Sequence, residues 1–238
     1  MKENIIIGDN MKKLVLIGGG EIGRGTTSYE TKEIDEEIVK MTNKEHPNFL
    51  FIGLASSYSD SYYDIIKKIY KNLGCETSYL KKKNIINNPD ITRNKITSAD
   101  IIYIGGGDTI KLLNDIKEYN LEILLKEAYE KGTVIAGISA GAIILSNEGF
   151  SDSLILRGES NNYSFIKGLN FTNINICPHY NQDIKKTTEL EEQIDNKEIY
   201  ALENCTALKI IDNEISVLKS QSDKNIYLIN NTKKEKLL

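Results

Sequence analysis

The chain of 238 residues has no tryptophan, three prolines, three cysteines and two histidines, and each scarcity narrows what it can be. Cys75, Cys177 and Cys205 are an odd number at spacings no metal site uses. That excludes a disulfide framework and makes each thiol a small buried hydrophobe. With only His46 and His179 available, a histidine-rich metal centre is excluded too, and neither a metal nor a cofactor is expected. No apolar stretch nears the roughly 20 residues needed to cross a bilayer, and the amino terminus lacks a secretory apolar segment. A cytoplasmic location with no membrane partner is therefore expected. Nor is there a basic excess, since Lys and Arg number 30 against 34 for Asp and Glu, a net charge of −4, so nucleic acid is not an expected partner.

What is present suits one soluble α/β domain. Hydrophobic residues make up 40% and charged residues 27%, enough for a substantial core and short for two. Residues 1–10 read as a short extension, because Met11-Lys12-Lys13 followed by Leu14-Val15-Leu16-Ile17 has the form of a first strand, and residues 11–238 follow as a single unit. Further strands are expected at Phe49–Ile52, Thr77–Leu80, Ile101–Ile104 and Thr133–Ala136. Helical stripes lie between them: Lys32–Thr42, Ser61–Leu73 with Ser59 or Asp60 as cap, a stretch with Ile110, Leu113 and Ile116 inward, and Leu121–Lys131. A charged connector runs through Pro89. Strands alternating with helices predict a doubly wound, mainly parallel sheet. Beyond Leu145 the pattern loosens into strands at Asn173–Cys177, Ile199–Leu202 and Ala207–Ile211 and a polar helix at Ile184–Ile194. The chain then closes on a β-hairpin of Ile215–Leu218 and Asn225–Ile229.

The organising stretch is Gly137-Ile138-Ser139-Ala140-Gly141, between the apolar strand and Ala142-Ile143-Ile144-Leu145. A serine on such a strand-to-helix turn is forced into a strained conformation that exposes its hydroxyl, while flanking glycines let strand and helix pass close. Two other strand ends carry glycine turns, Gly18-Gly19-Gly20-Glu21 and Gly105-Gly106-Gly107-Asp108-Thr109, and the three turns would gather on one rim. Gly18, Gly20 and Gly23 also fit the dinucleotide spacing, but Arg24-Gly25-Thr26-Thr27-Ser28 is a poor helix start, which argues against a nucleotide.

A seryl nucleophile needs a base, and that base an acid. His179 ends a strand behind Pro178 and can reach the same rim, whereas His46 lies at the amino end of a strand. For the acid, Glu203 is at a strand end; Asp152 and Glu159 are alternatives. Ala140 and the Gly106-Gly107 turn can supply the N–H groups of an oxyanion hole, with Asp108 as a helix cap.

The glycine turn, the Gly-Ile-Ser-Ala-Gly-Ala elbow and Pro178-His179-Tyr180, in this order, resemble the dipeptidase E and cyanophycinase group of serine peptidases, over roughly Met11 to Ile211. The resemblance implies a flavodoxin-like sheet of the class I glutamine amidotransferase type, with Ser139 as nucleophile, His179 as base and Glu203 as acid, Asp152 being the alternative. It implies cleavage of a short peptide through an acyl-enzyme. Asp108 stands where that group commonly has Asn, so an acidic substrate would need Arg157 or Arg24 to compensate. Glu21 is the candidate for binding a substrate amino group. The sequence admits a homodimer and leaves the assembly open. A catalytically silent binding or regulatory member of the same fold is the competing expectation.

Overall fold

The computed structural model describes residues 11–180 and 182–237, so the extension expected over residues 1–10 lies outside the described residues. Each apolar run becomes a strand and each stripe a helix. In chain order these are β1 (Lys13–Ile17), α1 (Lys32–Lys40), β2 (Asn48–Ile52), α2 (Ser59–Asn72) and β3 (Glu76–Leu80). The charged connector folds instead into α3 (Lys82–Asn87) and α4 (Pro89–Thr97), the latter with proline in its first turn. Then come β4 (Ile101–Ile104), α5 (Thr109–Glu118), α6 (Leu121–Glu130), β5 (Val134–Ile138) and α7 (Ala140–Leu145). The looser part holds β6 (Glu148–Ser151), α8 (Ser153–Leu156), β7 (Ser164–Lys167), β8 (Asn175–Pro178) and α9 (Ile184–Gln193). Four antiparallel-paired strands close the chain after β9 (Ile199–Leu202): β10 (Thr206–Ile211), β11 (Glu214–Lys219), β12 (Ile226–Ile229) and β13 (Lys234–Leu237).

There are two sheets where the alternation predicted one. The first has the order β11-β10-β1-β5-β4-β2-β3, with β1, β5, β4, β2 and β3 parallel and β10 and β11 antiparallel on the flank. The second, β13-β12-β9-β8-β6-β7, keeps β6, β8 and β9 parallel. The terminal hairpin is therefore re-paired: β11 joins β10 in the first sheet, β12 joins β9 in the second, and the closing hairpin is β12–β13. Ser59 and Asp60 fall inside α2, whose cap position is Tyr58 with no side-chain bond.

One apolar core joins the sheets. It takes Leu16 and Ile104 from the first and Ile176 and Leu202 from the second. Between them lies α7, buried at every residue, contributing Ile143 and Ile144. The far face of the first sheet is covered by Ile34 and Ile38 of α1 and Ile66 and Tyr70 of α2; that of the second by Leu190 of α9. Among the described residues, no helix is long and apolar enough to cross a membrane. Cys75, Cys177 and Cys205 are buried and unpaired.

Candidate active site

Because β1, β5 and β4 lie side by side and parallel, the turns leaving their carboxyl ends meet on one rim. Gly19, Gly20, Gly106, Gly107 and Ser139 line one pocket there, about 240 Å3 in volume, with Arg24, Ser56, Tyr62 and His179.

Ser139 sits between β5 and α7 at φ 55 and ψ −114, outside the regions L residues prefer. Its backbone is held from both sides, the N–H donating to the Ile17 carbonyl at 3.0 Å and the carbonyl accepting from Ile143 N–H at 3.0 Å. The flanking glycines are required by crowding: a Cβ on Gly137 would overlap the Gly141 backbone, and one on Gly141 would overlap the Ile104 carbonyl. With strand and helix pressed together this closely, the serine side chain has only the pocket to point into.

His179 arrives from the second sheet, directly after β8, with its own backbone at φ 147. Its Nε2 lies 2.5 Å from Ser139 Oγ and its Nδ1 2.9 Å from Asn204 Oδ1. An amide oxygen only accepts, so Nδ1 carries the proton and Nε2 turns its lone pair toward the serine hydroxyl. Burial pushes the imidazole down to about 4, the Lys186 ammonium adds to this, and the Asn204 bond opposes it. Lys186 is itself 5% exposed and donates to the Pro178 carbonyl at 2.5 Å. At neutral pH the ring is therefore uncharged and able to take a proton.

The expectation that Glu203 faces His179 is corrected by these contacts: the partner is its neighbour Asn204. A Glu203 carboxylate oxygen accepts the Asn225 N–H at 2.8 Å. Glu203 follows the end of β9 and Asn204 lies in the turn into β10, so an offset of one residue decides which of the two meets the ring. Asp152, the alternative acid, lines a second pocket on the other side of the imidazole with Tyr163, Gln182, Asp183 and Lys186. Glu159 is paired with Arg157, 2.7 Å from its Nε. His46 is on the opposite rim, 70% exposed at its side chain, with Nδ1 3.2 Å from the Gly74 carbonyl.

Three other residues expected to meet substrate, Glu21, Asp108 and Arg157, have partners within the chain. Glu21 is engaged by Arg24, whose Nη2 lies 3.0 Å from Oε1, and it is Arg24 that reaches the pocket. Asp108 caps α5, accepting the Ile110 and Lys111 N–H groups at 3.0 and 3.2 Å and the Ser153 hydroxyl at 3.0 Å. Its other oxygen takes Arg157 Nη1 at 3.3 Å, so Asp108 and Arg157 neutralise each other and neither lines the serine pocket. Tyr62, half-buried on α2, lines the same pocket beside Gly106. Gly107, at φ 141, is pressed against Ala55. Among the described residues, no group of three or more His, Cys, Asp or Glu side chains converges as a metal site.

Sequence reasoning passed over Asn204 and Tyr62. Asn204 had a signal, its place beside the expected acid, but an amide was not considered as the partner of an imidazole. Tyr62 fits the apolar stripe of α2, and only its place in the pocket beside Gly106 shows that it reaches the rim.

The family described as Peptidase family S51 matches residues 14–218. The uncharacterized peptidase YgaJ of Bacillus subtilis (strain 168) is 29% identical over 223 residues, covering 92% of each chain. A peptidase E of Nostoc sp. (strain PCC 7120) is 26% identical over 230 residues, covering 91% of this chain and 88% of its own. In fold, the crystal structure of a peptidase from an acI-B1 Actinobacterium superimposes with a TM-score of 0.74 at 21% identity, over 96% of this chain and 95% of the other.

Proposed function

The chain belongs to peptidase family S51 and is a serine-type peptidase, and from that premise we propose that it cleaves short peptides through an acyl-enzyme on Ser139. The observation that carries this is the 2.5 Å separation of Ser139 Oγ from His179 Nε2, with Nδ1 held by Asn204. As Oγ attacks the scissile carbonyl carbon, its proton passes to Nε2. The oxygen that gains charge is met by N–H groups drawn from Gly106, Gly107 and Ala140, of which both glycines line the pocket beside Ser139. Nε2 then gives its proton to the leaving amine, and the acyl group stays on Oγ as an ester. A water molecule deprotonated by the same nitrogen hydrolyses that ester and frees the serine.

Asn204 fixes the tautomer without adding a countercharge. The imidazolium formed during attack is therefore steadied by a dipole rather than a carboxylate, and the oxyanion supplies the nearest negative charge. We place this work in the cytoplasm, which suits three thiols that remain unpaired.

A fluorophosphonate probe tests the reading. It should label the native chain and leave Ser139→Ala unlabelled, and that variant should keep its fold while turnover of a dipeptide panel falls on the order of 10,000-fold. A native chain that resists the probe and turns over none of the panel would instead be a silent binding member of the family.

A further inference from the structure

The mechanism above makes no use of Asp35, a carboxylate with 0% exposure in α1. We propose that Asp35 is a positioning residue, whose carboxylate bolts down the far end of the loop from β1 to α1 and thereby holds the near end of that loop against His179 and Asn204. This rests on the roles given to Ser139 and His179 above.

Asp35 accepts three hydrogen bonds, from Thr31 Oγ1 at 2.7 Å, Tyr29 Oη at 2.9 Å and Tyr70 Oη at 2.7 Å. Two of the donors, Tyr29 and Thr31, lie at the far end of the loop; the third belongs to α2. Within the loop, Ile22 and Tyr29 form an antiparallel bridge, the Glu30 N–H donates to the Glu21 carbonyl at 2.7 Å, and the Glu21 N–H donates to Glu30 Oε2 at 2.9 Å. The segment is thus a small closed ribbon, and moving one end moves the other.

Its near end touches the reacting groups. Gly19 lies so close to the His179 ring and Asn204 Oδ1 that a Cβ there would overlap both. The Gly19 carbonyl accepts the N–H of Cys205, the residue after Asn204, at 2.9 Å. The Thr31 methyl packs beneath Gly20, so the side chain that Asp35 holds also supports the turn that cradles the imidazole.

A plain core pin has no need of charge. The groups facing Asp35 are the phenols Tyr29 and Tyr70, with Tyr62 of α2, Tyr103 of β4 and Glu36 of its own helix acting from farther off. Burial pushes the Asp35 carboxyl up to about 6 although three hydroxyls hold it down. Only the ionised form accepts from all three at once, because a protonated oxygen becomes a donor. The charge is retained against its own burial, which is what a functional demand on the loop would require.

Three variants test this: Asp35→Asn, Tyr29→Phe and Tyr70→Phe. At pH 8, Asp35→Asn should lose about tenfold in kcat/KM, roughly the worth of one hydrogen bond to a charged group. Its Tm at that pH should hold or rise. The sign follows from a folded pKa above the unfolded one: the ionised form is the destabilised one above about 6, and the amide removes that burden. In a pH profile the native chain should lose kcat/KM as pH falls through about 6, and the same variant should lack that fall. Tyr29→Phe should lose turnover in the same way, whereas Tyr70→Phe should lower Tm and leave kcat/KM as it was. Tryptic cleavage after the exposed Arg24 reads the loop directly, even if no peptide is turned over, so failure of the peptidase reading and failure of this one are told apart. Cleavage should quicken in Asp35→Asn and Tyr29→Phe and not in Tyr70→Phe. If Asp35→Asn fails to fold, the two tyrosine variants carry the comparison. Unchanged turnover and cleavage in Asp35→Asn and Tyr29→Phe, or losses that track Tm equally in all three, would overturn the proposal.

Discussion

Six of the nine non-glycine residues at positive φ among the described residues are Asn or Asp, which tolerate it; the other three are Ser139, His179 and Cys205. These three come together at one rim, two as the hydrogen-bonded serine and histidine and one beside Asn204. Strain concentrated in this way persists only where neighbours over-determine the backbone. It makes Asn204 the residue to test. Asn204→Ala frees the tautomer of His179 and should lower kcat on the order of 100-fold with little change in KM. Asn204→Asp places a carboxylate against Nδ1, so the imidazole, held down at about 4 in the native chain, should rise by about a unit or more. The acid limb of kcat/KM, read from a pH profile, should move up with it. At this scale the sequence was informative where a residue's neighbours announce its conformation. Glycines on either side of Ser139 mark an elbow, and Pro178 ahead of His179 marks a strand end. It was silent on the choice between Glu203 and Asn204, because the direction of a side chain after β9 depends on pairing with a strand that only the folded molecule supplies.

At the scale of elements, the elbow is held by close approach rather than by hydrogen bonds alone. Gly141→Ala should lower stability by about 3 kcal/mol or more, since its Cβ would meet the Ile104 carbonyl and β4 cannot retreat without moving the Gly106 turn. A denaturant titration measures the loss, and turnover per folded molecule should drop with it. Strands and helices of the parallel half were legible because fully apolar runs such as Ile101–Ile104 alternate with clear helical stripes. The short helices α3 and α4 were not, since Lys82-Lys83-Asn84 and Asn87-Asn88 read as turn chemistry and Ile85, Thr92 and Ile96 are their only buried residues. The closing strands were each recognisable, but period-two alternation says nothing about the partner. Two hairpins therefore looked like one.

For the whole molecule, the second sheet is what the alternating pattern did not reveal. Its strands are short, four residues each, and a one-turn helix and an antiparallel strand interrupt the passage from β6 to its parallel neighbour β8. The core that joins the sheets predicts that they melt together. Ile52→Ala in the first and Ile176→Ala in the second, both at 0% exposure, should each lose about 2–5 kcal/mol, and calorimetry should record one transition in every case. Two buried groups give stability a pH dependence of opposing signs. His179, held below its unfolded value, contributes stability present above about pH 6.5 and lost as pH falls toward 4. Asp35, held above its unfolded value, contributes most below its unfolded pKa and gives that up as pH rises through about 6. Comparing Tm from pH 4 to 8 in the native chain and in Asp35→Asn separates the two.

The hydroxyl and the imidazole reach each other from different sheets, one at the end of β5 and the other at the end of β8. Their meeting works as a gauge of how firmly the two slabs are seated, because a slip of an ångström parts the atoms while barely altering the buried surface. Warming should accordingly blunt turnover several degrees before far-ultraviolet dichroism changes, and cooling should restore it. In that interval the molecule would be folded and idle.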